Sequence, residues 1–179
     1  YNTVTQQHGD RDIYKGLTIW SPNINIFRDP RWGRGHETYG EDPFLTTVLG
    51  KAYVRGLQGD QAVLKTAACA KHFAVHSGPE AIRHGFDAKV SPKDLEETYL
   101  PAFEALVKEA KVESVMGAYN SVNGEPSCAS PFLQQKLQEW GFDGYFVSDC
   151  WAIRDFHEYH HITSRPEESA TLAIHAGCD

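Results

Sequence analysis

Four short apolar, β-branched runs, each ending in polar side chains and separated by longer segments of helical period, leave this chain few ways to fold. Apolar runs of that length suit strands covered on both faces, and helices between them join such strands in parallel as βα units. The first run, 17–27, ends in Arg-Asp-Pro-Arg-Trp-Gly-Arg, and the second, 65–70, ends in Lys-His-Phe. The third, 114–118, ends at Tyr119 and Asn120, and the fourth, 145–147, at Ser148 and Asp149. Polar groups after several different strands are what a (β/α) barrel needs, because its site is built from loops at the carboxyl ends of the strands. The expected fold class is α/β, part of a (β/α)8 TIM-type barrel with about four βα units. It is incomplete, since a closed barrel takes about 250 residues and the chain has 179. The strands should be parallel, with the ends at Arg28, Lys71, Tyr119 and Asp149 on one side. A doubly wound sheet competes, but no G-x-G-x-x-G or phosphate-binding loop follows any run.

Helix punctuation fills the intervals. Asp42-Pro43 opens a stretch with Phe44, Val48 and Ala52 on its apolar face, closing near Gly56. Ser91-Pro92 caps a longer one through Leu95, Tyr99, Phe103, Leu106 and Val107, which Pro101 should kink. Ser130-Pro131 opens a third with Phe132, Leu133 and Leu137 on one face and Gly141 as its stop, and Pro166 opens a fourth.

Charge and cysteine content narrow the functions. Lys and Arg number 17 against 24 Asp and Glu, a net charge of −7, so the basic stripe that nucleic acid or anionic lipid requires is missing. A neutral or polar small ligand fits better. No apolar run approaches the roughly 18 residues that cross a bilayer, and residues 1–12 lack the plan of a signal peptide. The sequence starts at Tyr1 rather than Met and stops at Asp179 after a helical segment, so a fragment cut at both ends is expected. Cys69, Cys128, Cys150 and Cys178 are far apart with no C-x-x-C pair, which writes neither a zinc ribbon nor a dithiol motif and leaves their redox state open.

Asp149 sets a carboxylate at the mouth of a buried strand, where it serves equally as a turn or helix-cap residue or as a nucleophile or metal ligand. Sugar hydrolysis with retention needs a carboxylate that attacks the anomeric carbon and a second carboxyl group that protonates the leaving oxygen. Lys71 and His72 follow a strand of small residues and suit a hydroxyl-rich ligand, but neighbours on a strand point to opposite faces, so both reach one ligand only if the strand has ended there. Arg34 offers a planar fork of donors for sugar or carboxylate oxygens, with a salt bridge to Glu37 or Glu41 as the alternative, which for Glu37 is the better reading. Trp32 and Trp151 offer flat faces to a pyranose or serve as core. His72 and His76 are spaced as metal ligands can be, and His157, His160 and His161 lie near Asp155 and Glu158, but no H-E-x-x-H motif is present. Ser148 lacks the G-x-S-x-G elbow of a nucleophilic serine.

Together, NINIFRDPRWGRGHETYGEDP, AKHFAVHSGPE, VMGAYNSVNGEPSCASP and GYFVSDCWAI resemble the barrel domain of glycoside hydrolase family 3, in order and over nearly the whole chain. The resemblance implies that 1–179 is an N-terminal (β/α) barrel domain truncated at both ends, without the α/β sandwich domain that follows it in the family. It implies a retaining, exo-acting β-glycosidase using no cofactor and no metal, with Asp149 as nucleophile. Arg34, Lys71, His72 and Tyr119 would hold the terminal sugar, with Met116 lining the pocket and Trp151 near it. The acid/base would come from the missing domain, so none of Glu158, Glu167 and Glu168 is assigned that role, and a sugar-binding acid would lie before Tyr1. Implied partners are an oligosaccharide or an aryl or alkyl β-glycoside and the missing domain, with no nucleic acid and no membrane, in a secreted or periplasmic setting. Cys150 stands where many β-glucosidase-type members carry Trp, and Ser-Asp-Cys looks more like the β-xylosidase branch. Glucose and xylose both stay open, and a non-catalytic carbohydrate-binding relative is the alternative.

Overall fold

The computed structural model describes Gln7 and residues 15–179. Its strands are β1 (Thr18–Ile19), β2 (Ala67–Phe73), β3 (Asp87–Ala88), β4 (Ser114–Gly117), β5 (Ser121–Val122), β6 (Glu125–Pro126) and β7 (Tyr145–Ser148). Four of them, β1, β2, β4 and β7, lie side by side in that order with every neighbouring pair parallel. Helix α1 (Pro43–Gln58) joins β1 to β2, and α2 (Pro92–Asp94) and α3 (Pro101–Lys108) precede β4. Helix α4 (Pro131–Glu139) leads into β7, and α5 (Asp155–Glu158) and α6 (Pro166–His175) follow it. This is a segment of a TIM-type barrel, and the carboxyl ends of its strands share one edge.

The first strand is shorter than the apolar run suggested. Pro22 has no N–H for a ladder, so regular pairing stops at Ile19. Residues 20–27 continue as extended chain beside β2, with Cys69 N–H donating to Ser21 O (2.9 Å) and Ile24 N–H to Lys71 O (2.9 Å). The second strand is longer than expected and includes Lys71, His72 and Phe73.

Helix α1 begins as expected, with Asp42 Oδ1 accepting from the N–H groups of Phe44 (2.7 Å) and Leu45 (2.9 Å). It runs through Gly56 and ends at Gln58, before Gly59. Its inward face is also different: Thr46, Gly50, Val54 and Gln58 are buried, whereas Phe44 is 78% and Val48 43% exposed. Close packing against α3 selects that face, since a Cβ on Gly50 would stand 3.1 Å from both Ile24 and Leu106.

Ser91 caps α2 through its Oγ and the Asp94 N–H (3.0 Å). Pro101 is absorbed by a wide turn at Leu95–Tyr99, where Leu100 N–H reaches back to Leu95 O (2.9 Å). Leu95, Leu100, Phe103, Leu106 and Val107 are buried against the sheet. In α4, Ser130 Oγ caps Leu133 N–H (3.2 Å) and Leu133 and Leu137 are buried, while Phe132 stays 36% exposed.

A second sheet, β3-β5-β6, was not foreseen. Its β5–β6 hairpin turns at Asn123 and Gly124, both at positive φ (51° and 94°), the two-residue Asn-Gly connection that matches strand twist.

Alternation divides the main sheet. Ala68, Ala70, Phe73, Val115 and Phe146 join the core beneath the helices. Cys69, Lys71, Ser114 and Met116 are one residue out of step and take the other face, which in a barrel is the interior. Register shifts between Lys71 and Phe73: Lys71 faces Met116, Phe73 faces Gly117, and His72 is an extra residue in β2. That bulge lets Lys71 and His72 serve the same side although the strand has not ended.

Candidate active site

Asp149 continues β7 by one residue, its N–H donating to Gly117 O (3.1 Å). The residue is 6% exposed. Its Oδ1 accepts from Cys150 N–H (2.7 Å), and Oδ2 lies 3.5 Å from His72 Nε2. Burial pushes its carboxyl above the ordinary value, opposed by the Cys150 N–H, Arg34, the Tyr119 hydroxyl and Lys71.

The protonation of His72 follows from its partners. Its backbone N–H donates to Asn25 Oδ1 (2.8 Å) and its C=O accepts from Asn25 Nδ2 (2.8 Å), which fixes the orientation of the amide. Because Oδ1 also meets the ring Nδ1 (2.9 Å), Nδ1 carries the proton. Nε2 then offers a lone pair to Arg34 Nη1 (2.9 Å), since arginine has only donors. The ring is neutral, and its contact with Asp149 is not an ion pair. Burial, with His76, Arg34 and Lys71 beside it, holds the imidazole well below its ordinary value.

Arg34 also grips Glu37 through Nε (2.7 Å) and Nη2 (2.8 Å). The salt bridge weighed in the sequence is therefore present, engaging Nε and Nη2 while Nη1 meets His72. Lys71 lies among Arg34, Glu37 and Asp149; burial and Arg34 lower its pKa, against the two carboxylates. Met116 is fully buried and paired in register with Lys71. Tyr119 follows β4, interacts with the Asp149 carboxylate, and is pushed above the ordinary phenol value by burial and by Asp149.

Arg34, Lys71, His72, Met116, Tyr119 and Asp149 are thus brought to one end of the sheet. Trp151 is not among them: it is 73% exposed, at φ 65°, with Arg154 over its ring at 5.6 Å. Trp32 is buried edge-on to His76 (5.8 Å). The sequence reading missed Asn25, whose signal is the alternation of Asn23 and Asn25 with the core residues Ile24 and Ile26. It also missed His76 as a neighbour of the site, its ring 4.6 Å from His72 and its Nδ1 3.1 Å from Asn120 Oδ1. Among the described residues no three His, Cys, Asp or Glu side chains are grouped to hold a metal ion. His157 bonds Ser169 and His160 bonds Ser121 and Tyr119 O, so these histidines are spent on separate structural contacts. Glu158 pairs with Arg154, and Glu168 with Arg165.

A family model described as the glycosyl hydrolase family 3 N terminal domain matches residues 3–179. The chain belongs to glycosyl hydrolase family 3. Among relatives, a xylan 1,4-β-xylosidase of Xylanibacter ruminicola is 52% identical over 96% of this chain and 21% of its own length. Among solved structures, a family 3 exo-β-xylosidase in complex with a xylobiose aziridine activity-based probe superposes with a TM-score of 0.87 at 42% identity, covering 91% of this chain and 22% of that one. A β-glucosidase from Erythrobacter marinus gives a TM-score of 0.84 at 37% identity, covering 90% of this chain and 22% of that one. This family 3 segment therefore spans about a fifth of the length of the relatives it matches.

Proposed function

We propose that this chain is the nucleophile-bearing part of a retaining, exo-acting β-glycosidase that releases terminal β-D-xylosyl or β-D-glucosyl residues. The observation that carries it is the Asp149 carboxylate at a strand end, one oxygen tied to a backbone N–H and the other turned toward His72, with Arg34, Lys71 and Tyr119 around it. In the first half-reaction an Asp149 oxygen bonds to the anomeric carbon as the glycosidic bond breaks, and the leaving oxygen takes a proton from a second carboxyl group. Water then attacks the same carbon, gives its proton to that group and frees Asp149. Arg34, Lys71 and Tyr119 hold the sugar hydroxyls, with His72 behind Arg34 and Met116 as an apolar wall. Neutral His72 spends its Nε2 lone pair on Arg34 and its Nδ1 proton on Asn25, so it serves the sugar by orienting the guanidinium. Xylose is favoured over glucose because Cys150, not a ring, follows the nucleophile, and because the relatives quoted include two named xylosidases.

Asp149→Asn in the full-length protein tests this. Turnover of an aryl β-xyloside should fall by several powers of ten, each about 1.4 kcal/mol of barrier, while the sugar still binds. Azide should restore part of the rate and give a product of inverted configuration. Near-normal activity of the variant, or inverted first product from the unaltered enzyme, overturns the proposal.

A further inference from the structure

One buried acid is left unexplained by the chemistry above. Asp155, at the start of α5, is completely buried, and its only side-chain hydrogen bond among the described residues is the one from His84 Nδ1 (2.8 Å) to Oδ2. A buried carboxylate with a single partner is costly, and what this one holds in place is the His84 ring. His84 in turn lays its ring 4.6 Å from that of Tyr119 and 5.4 Å from that of Tyr159. The Arg83 guanidinium sits 5.2 Å over the Tyr119 ring, and His160 Nε2 donates to Tyr119 O (2.9 Å). His76 packs on a further side at 5.9 Å. Tyr119 is thereby enclosed by the loop after β2 and by the segment after β7, the same segment that follows Asp149.

The geometry points to His84, oriented by Asp155, as a positioning residue that holds the Tyr119 phenol against the Asp149 carboxylate. This rests on Asp149 being the nucleophile. A ring braced from its side and from its face has little freedom to swing its hydroxyl away, and misplacement of a group by even an ångström is costly to rate. Tyr119 is faced by Asp149 and Cys150 from beyond β7, by His76, Arg83 and His84 from beyond β2, and by His160 from beyond α5. Asp149 is faced by Arg34, Lys71, His72 and Tyr119.

The test is a double-mutant cycle in the full-length enzyme with His84→Ala, Tyr119→Phe and both together. His84→Asn is added because it keeps an N–H for Asp155 and so protects the fold. Either His84 variant should lose roughly ten- to a hundredfold in kcat with a smaller change in KM. The acidic limb of kcat/KM should move to higher pH, because the Tyr119 hydroxyl, which favours the ionised form of Asp149, is displaced. In the Tyr119→Phe background, His84→Ala should cause no further loss. Multiplicative losses in the double variant, or an unshifted acidic limb, overturn the proposal, as does full activity of His84→Asn. Asp149→Asn separates the two readings: if it is inactive and the losses multiply, only the positioning role fails; if it is active, the nucleophile assignment fails and takes this role with it.

Discussion

Burial works against the Asp149 carboxylate, and the neighbours that oppose it are the ones that would hold a sugar. Two outcomes follow from the raised pKa. Activity that requires the ionised form should fade, as pH drops, at a value above the ordinary carboxylate range, which a kcat/KM profile measures. The folded state also binds this proton more tightly than the unfolded chain, so the cost of keeping Asp149 ionised is fully felt at neutral pH and fades as pH falls through the raised value. Asp149→Asn should accordingly raise the midpoint of thermal unfolding at pH 7, each unit of pKa shift being worth about 1.4 kcal/mol, and this gain should vanish in acid. At this scale the sequence was informative where a polar residue directly ends an apolar run, as Asp149 and Lys71 do. It was silent on Asn25, because the groups that residue serves are the backbone and ring of His72, 47 positions away.

Elements were legible wherever their ends carry local chemistry: Asp42, Ser91 and Ser130 each cap the helix that the sequence placed after them. Faces were less legible. The apolar stripe of α1 suggested an inward Phe44 and Val48, whereas small residues decide which side can approach α3. The last residue of that helix is another case that no period reveals. Gln58 is buried, its Nε2 donates to Lys111 O (2.8 Å), and its Oε1 accepts from Glu113 N–H (2.8 Å) and Ala68 N–H (3.3 Å). One amide thus ties the end of α1 to the starts of β2 and β4. Gln58→Ala would leave those backbone groups unpaired, at about 1–3 kcal/mol for each one that stays buried. A lower midpoint of thermal unfolding with kcat little changed is the expected result, read by calorimetry alongside kinetics.

At the scale of the molecule, the four parallel strands and their shared edge were readable because parallel βα order follows from the alternation of runs. The second sheet was not, since its strands are two residues each and show no period. Glu158 and Glu168 are engaged in surface pairs with Arg154 and Arg165, and under the proposed function the second carboxyl of the retaining reaction comes from another part of the full-length enzyme. A crystal structure of the full-length enzyme trapped as a 2-fluoroglycosyl adduct should show that carboxyl about 5 to 5.5 Å from Asp149; a separation of about 6.5 to 9.5 Å would indicate inversion instead. The bulge in β2 bears on how such a site can change. Even and odd positions of a strand are bound to opposite fates, so a single added or lost residue ordinarily exchanges the two rows. His72 is the exception: taking it out would return β2 to strict alternation, with Lys71 still opposite Met116 and Phe73 still opposite Gly117. The core keeps its parity with or without the imidazole. Position 72 is therefore one where a residue can be added to or taken from β2 without exchanging its two faces, while Phe73 stays packed on Phe103 and Trp140.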